Sequence, residues 1–286
     1  MYFRYSHALP AALPASWLGS SLEAAVGEIG SYILSEEKET VVLYLLGKES
    51  YAAATDLSAD EFLSLLQTYR PDGSQFAFET ELSLSPLSLL PGESPAVPAF
   101  TLSNPCDSRY IDTLATDLGF NPYAESRYTD DLGTVRFSET NAALEITSSG
   151  HVTYRAEAER FAAPSVQPKD LADTARQLVD RITANTPGDG RLYLTDLTVS
   201  GTTAVCTFDY FLSGLPVATA GEAACVIFEG SSVTEASVQI LAFTGTGKMI
   251  RPLPVMQAAA VLGEGSTLEL SYCVNADNTV SAGWQQ

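Results

Sequence analysis

Histidine is nearly missing from this 286-residue chain, with two residues, His7 and His151, against thirteen tyrosines and twelve phenylalanines. A serine or cysteine nucleophile needs a base to take its proton, so any such centre must recruit one of the two. His7 lies in an irregular start that contains Pro10, and His151 follows Ser148-Ser149-Gly150 in what reads as a hairpin turn. A turn of that kind favours a solvated side chain over a general base. Basic residues are scarce as well: 15 Lys and Arg face 35 Asp and Glu, for a net charge of −20. Most of such a surface repels a phosphate backbone or an anionic lipid face, which excludes nucleic acid as a partner and leaves solubility as the plain role of the surplus carboxylates.

The four cysteines, Cys106, Cys206, Cys225 and Cys273, include no CxxC pair of the kind that serves zinc binding or disulfide exchange. Cys206 and Cys225 can face each other across a hairpin centred near Leu215 and Pro216, with buried free thiols as the competing state. Long apolar runs are missing too. The longest uncharged N-terminal run, 5–22, holds Pro10 and Pro14 and several serines, and does not read as a bilayer-spanning helix. The same two prolines interrupt the segment after Arg4 that a secretion signal needs unbroken.

What is present is patterned apolar sequence, 45% of the chain, enough to bury a real core. The clearest stretch is TFDYFLSGLPV (207–217): Cys206, Phe208, Tyr210 and Leu212 share one face of an extended segment, and Gly214 and Pro216 turn the chain towards a second apolar run at 223–228. Earlier in the chain, spacing predicts an amphipathic helix over 21–34 and a strand over 40–46 with a hairpin partner at 51–55. A second helix opens on the Ser58/Glu61 capping box and stops before Pro71. Residues 76–84 alternate as a strand.

Pro86, Pro91, Pro95, Pro98 and Pro105 then mark a connector, with a domain boundary placed inside 87–104 or, alternatively, an ordered surface loop. A helix capped by Asp107 or Ser108 leads to short strands at 134–137, 143–147 and 151–156. After a second connector at 164–168, a helix opens at Asp170. Strands follow at 191–199, 206–212, 223–228 and 232–243, then a short helix over 254–262 halted by Gly263, and last strands at 267–274 and 279–284. The order is that of an α+β protein. It reads as an N-terminal domain of mixed α/β character (1–100), a middle helix-plus-antiparallel-meander domain (101–163) and a similar C-terminal unit (164–286), with a single fused domain as the alternative.

Reactive motifs are few. Thr244-Gly245-Thr246-Gly247-Lys248 falls short of a phosphate loop, because Ala242 stands where its first glycine belongs and Met249 replaces the magnesium-binding hydroxyl. Asp130-Asp131 and 275–278 are oxygen-rich turns without the alternating ligands of an EF-hand, and read as Asx turns. Any carboxylate pair among thirty-five acids has no support from spacing. No catalytic, cofactor-binding or metal residue is assigned, and no cofactor is expected.

Two segments resemble one family. Leu118-Gly119-Phe120-Asn121-Pro122, Tyr128 with Thr129-Asp130-Asp131-Leu132-Gly133-Thr134, and Leu144-Glu145-Ile146 leading through Ser149-Gly150-His151-Val152 to Tyr154 carry the first part. The second consists of the helix from Asp170, Tyr210, Gly214, Pro216 and Val217, then Leu253-Pro254, Gln257-Ala258, Leu268, Leu270, Tyr272 and Trp284. Over roughly 107–286 the chain resembles YycH/YycI-type proteins, extracytoplasmic regulators of an essential sensor kinase in a two-component system. The resemblance implies an α+β ectodomain that acts by protein contact without chemistry. It also implies extracytoplasmic location at the cell surface, a sensor-kinase ectodomain or another family regulator as partner, and membrane attachment only through an anchor absent from this chain. The alternative is a cell-surface module that binds a peptide or glycan on its sheet. A hydrolase using acidic residues is the third reading.

Overall fold

The structure, a computed structural model, describes residues 1–285 except 25–26, 69–72, 93–94, 158–159, 262–264 and 276–277. Its elements in chain order are β1 (Tyr2–Pro10), α1 (Ala12–Trp17), β2 (Glu28–Glu37), β3 (Thr40–Gly47), β4 (Ser50–Ser58), α2 (Ala59–Thr68), β5 (Gln75–Phe76), β6 (Leu89–Leu90), β7 (Val97–Ser103) and α3 (Ser108–Asp117). Next come β8 (Arg127–Thr129), β9 (Val135–Glu139), β10 (Ala142–Ile146), β11 (His151–Ala156), α4 (Pro168–Thr183), β12 (Arg191–Ser200), β13 (Thr203–Leu212), β14 (Leu215–Ala218) and β15 (Ala224–Glu229). The chain closes with β16 (Ser232–Gln239), β17 (Ala242–Ile250), α5 (Val255–Ala259), β18 (Glu269–Val274) and β19 (Val280–Gln285). The fold is α+β, as the order of patterned segments predicts.

The first four strands form an antiparallel sheet in the order β1-β2-β3-β4. Its middle departs from expectation, because 21–34 is not one helix: Ser21–Ala24 is a single 3₁₀ turn and β2 begins at Glu28. Ile29 and Ile33, spaced for a helix face, satisfy a strand ladder as well. Gly27 at φ 111° together with the aromatic and β-branched run Tyr32-Ile33 tips the balance. The irregular start is also ordered, as β1 and α1. The Ser58 box forms as expected: Glu61 Oε2 accepts from Ser58 N at 2.9 Å, while Ser58 Oγ accepts from Glu61 N at 3.3 Å. The end of that helix before Pro71 lies outside the described residues.

Of residues 76–84 only Phe76 is strand, the end of β5, and a 3₁₀ turn, Ala77–Glu79, follows it; the Glu79 carboxylate accepts from Phe76 N at 2.8 Å and folds the segment back. The proline-rich connector carries β7, which pairs with β17 over 140 residues later, Pro98 opposite Met249. A two-stranded ribbon has an outer edge, so a proline costs it no ladder bond.

Eleven strands build the large sheet, in the order β19-β18-β14-β13-β15-β16-β11-β10-β9-β8 with β12 beside β13. Both stretches read as separate units, 101–163 and 164–286, feed this one sheet through the β11 and β16 ladder. Helices α3 and α4 cover one face of it, burying Leu114, Leu118, Leu171, Leu178 and Ile182 against Phe137, Tyr154, Phe208 and Phe228. The segment expected as one strand at 232–243 splits at Ile240 and Leu241, and β17 leaves for the ribbon with β7. Thr244-Gly245-Thr246-Gly247-Lys248 is therefore strand, not a loop that cradles phosphate. The helix at 254–262 shortens to α5, and its stop at Gly263 lies outside the described residues. Among the described residues no helix is long and apolar enough to cross a membrane.

The stretch at 207–217 gains a strand where a loop is expected. Ser213 (φ 49°) and Gly214 (φ 82°) both take left-handed backbone, the signature of a two-residue hairpin turn. The apolar 215–217 segment then pairs with β13 as β14 and runs parallel to β18. Cys206 faces Val226 and Thr207 faces Cys225, so the two thiols lie on opposite faces of the hairpin. All four cysteines are free, and burial pushes the Cys206 thiol up to about 12.

Candidate functional site

The residues that carry the resemblance make turns and core contacts. Gly119, at φ 80°, ends α3 and its carbonyl accepts from Arg160, whose guanidinium lies 4.4 Å over the Phe120 ring. Phe120 packs in turn on Phe137 and Tyr154. Asp130 builds an Asx turn, Oδ1 accepting from Thr134 N at 2.9 Å and Leu132 N at 3.0 Å. The Thr134 amide first, with the Leu132 amide and Arg136 after it, holds the carboxyl below its ordinary value. A lowered carboxylate stabilises the fold above the unfolded pKa, and that contribution is lost as pH falls through the folded one. Asp130→Ala is therefore expected to lower the urea midpoint at neutral pH, with the gap to wild type closing on acidification from about pH 5 to about pH 2. A gap independent of pH in that window would count against this role.

His151 is not a turn residue. It opens β11, half-buried, with Nε2 at 3.2 Å from Ser237 Oγ on β16. Sequence could not bring together two residues 86 positions apart. The pair offers a hydrogen bond and no acyl-transfer centre, because Ser237 sits mid-strand between β11 and β15 and the surrounding backbone serves those two ladders. The His7 side chain lies outside the described residues.

A cleft of about 570 Å³ lies elsewhere, where the N-terminal sheet meets the large one. That volume is in the range of small-ligand and side-chain pockets. β1 and β12, each an edge strand of its own sheet, lie against each other there without a shared ladder. Arg4, Tyr5 and Leu9 come from β1, Tyr193, Leu194 and Thr195 from β12, and Ala172 and Arg176 from α4. The 207–217 stretch supplies Phe211, Gly214, Leu215 and Pro216, and β18 adds Glu269 and Leu270. Gly214, Pro216, Leu268 and Leu270 all belong to the resemblance and all line this cleft.

Leucines and aromatic rings together make up most of its wall. Tyr193 meets Phe211 edge-on, with ring centres 5.4 Å apart. Tyr5 packs beside Tyr32 at 5.8 Å, and burial first, then Tyr32, raises its phenol. Trp17 donates from Nε1 to Asp173 Oδ1 at 3.3 Å, which latches α1 to α4 and leaves the indole 41% exposed at the rim. Charged groups are few: Arg4 stands 3.8 Å from Glu269, and Arg176 has no ion-pair partner among the described residues. The signal in sequence was the alternation in β12 and β13, which places Tyr193 and Phe211 on the face opposite Phe208. What could not be read was that β1, some 190 residues earlier, closes the other wall.

Comparison with protein-family models, with curated proteins and with solved structures gives no match for this chain.

Proposed function

We propose that this chain is a non-enzymatic, extracytoplasmic regulatory protein that acts by protein contact, and that the cleft between β1, β12 and α4 receives a segment of its partner. The observation that carries the reading is the cleft itself: an apolar concavity between two strand edges, walled by leucines and aromatic rings, with Glu269 as its one carboxylate among the described residues and that carboxylate beside Arg4. Such a surface buries side chains and offers edge backbone to an extended chain, and it lacks the paired acid and base of a hydrolase. The resemblance to YycH/YycI-type regulators supports a sensor-kinase ectodomain or another such regulator as partner, at the cell surface.

The succession of α3 with β9–β11 and α4 with β12–β16, both helices on one face of the sheet, supports two related helix-plus-meander units in the C-terminal two-thirds and a separate N-terminal α/β-mixed unit.

Calorimetry with the outer domain of a sensor kinase encoded beside it tests the reading. Association is expected, with Tyr193→Ala and Phe211→Ala each weakening it by about ten-fold or more, the size of an aromatic anchor lost from an interface. Absence of association, or variants that bind as tightly as wild type, overturns it. The exposed faces of Trp17 and Tyr193 favour a second reading, a glycan stacked on the rim, which is scored by binding of a neutral oligosaccharide in the same assay.

A further inference from the structure

A second cavity of about 330 Å³ opens beside the aromatic cleft, and Arg4 and Tyr5 line both. Its character is different. Tyr2, Ser31, Ser85, Ser88 and Thr267 surround it with hydroxyl groups. Ser88 is 1% exposed, and its Oγ has no hydrogen-bond partner among the described residues. A buried hydroxyl left without a partner costs free energy, and an oxygen ligand arriving in the cavity removes that cost. Arg4 is only loosely engaged as well. Its 3.8 Å separation from Glu269 is about 1 Å longer than a charge-assisted hydrogen bond, so its guanidinium donors stay open to a closer acceptor.

We propose that the two cavities together hold the C-terminal residue of a peptide, its apolar side chain among Trp17, Tyr193 and Phe211 and its α-carboxylate on Arg4 and Ser88. This rests on the cleft being a peptide site and names what the site selects. Because Arg4 and Tyr5 belong to both cavities, one ligand can place an anionic group in the smaller cavity and an apolar group in the adjoining cleft. A terminal residue does so with its own α-carboxylate and side chain, whereas an internal acidic residue carries its charge on a different residue from the apolar group; same-face neighbours in an extended chain lie about 7 Å apart. Charge points the same way. Two arginines face one glutamate at this site in a chain of net charge −20. A peptide with a single terminal charge meets the local cations without the repulsion that an acidic peptide suffers from the rest of the surface.

The test is calorimetry on the full chain with three probes: acetyl-Ala-Ala-Phe as the free acid, its C-terminal amide, and acetyl-Ala-Glu-Phe amide, repeated with Leu and Trp as the last residue. The acids are expected to bind about ten-fold or more tightly than the amides, the difference that a carboxylate's charge-assisted bonds confer. Arg4→Gln should erase that preference, so that acids and amides bind alike, and Ser88→Ala should weaken the acids more than the amides. Glu269→Gln, which releases Arg4, should tighten them and guards against a fold defect in the Arg4 variant. Equal binding of acids and amides, or a preference that survives Arg4→Gln, overturns the carboxylate assignment and leaves the peptide cleft standing. Binding of the glutamate amide as tight as that of the acids overturns the C-terminal assignment. If no probe binds at ~1 mM, where even an affinity of about −4 kcal/mol would register, the cleft reading falls with it.

Discussion

Gly188→Ala is expected to cost roughly 3 kcal/mol of stability, lowering the melting temperature by about 6–12 °C for a chain of this size. Two effects add. Gly188 holds φ 101°, a conformation that a Cβ penalises, and a Cβ built there lands on the Phe243 carbonyl oxygen and lies 2.9 Å from its carbon. The obstacle is backbone, which cannot swing aside as the end of a long side chain can. The neighbouring Asp189 N donates to the same carbonyl at 2.8 Å, so the turn between α4 and β12 is clamped onto β17 by close contact of two main chains. Phe243, fully buried and 5.3 Å from the Tyr210 ring, transmits any shift to the last, turn-ward residues of β13. Gly201 also has positive φ (62°) but open space around it, and Gly201→Ala should cost only about 1 kcal/mol. Thermal and urea unfolding of both variants by circular dichroism decides the matter; a Gly188→Ala loss no larger than that of Gly201→Ala would mean that the clamp contributes nothing.

Phe208→Ala is expected to cost about 3–5 kcal/mol, the range for deleting a buried ring and leaving its cavity. Phe208 is fully buried at the middle of β13, beneath the helix layer, in the core that includes Ala175, Leu178, Phe228 and Val238. Helices pinned on one face and a ladder on each side leave little room for that cavity to collapse. Phe211, three residues on, points to the other side and lines the cleft, half-buried. Its alanine variant should lose less than about 2 kcal/mol of stability while losing most of the partner affinity. One strand thus separates stability from binding by parity alone. If Phe211→Ala destabilised as much as Phe208→Ala, or if Phe208→Ala unfolded like wild type in urea, the assignment of faces would be wrong.

The sequence was most legible where a local rule has one solution. The Ser58 capping box, the Asp107 cap, which accepts from Tyr110 N at 2.8 Å, and the Asx turn at Asp130 all form as their residue types require. So do the strands 135–156 and the alternation of β13. It was least legible where two periods fit the same residues. Ile29 and Ile33 suit a helix face and a strand ladder alike, and the pairing of β2 with β1 and β3 chose the ladder. The Cys206 and Cys225 relation shows the same limit at finer scale. A hairpin centre between Leu215 and Pro216 would put the thiols on one face, and a register one residue away puts them on opposite faces.

By itself the sequence determined the α+β class, the acidic surface, the scarcity of bases for acid–base chemistry and most helix starts, because these depend on composition and on contacts within a few residues. Tertiary structure alone decided the rest. It turned 215–217 from a loop into β14, carried β7 out of a proline-rich connector to β17, set His151 against Ser237, and brought β1 beside β12 to close the aromatic cleft around Arg4. Each of these joins residues through strand edges whose unpaired backbone accepts any neighbour that burial permits. The choice of neighbour is therefore made by the packing of the whole chain and leaves no mark in local spacing.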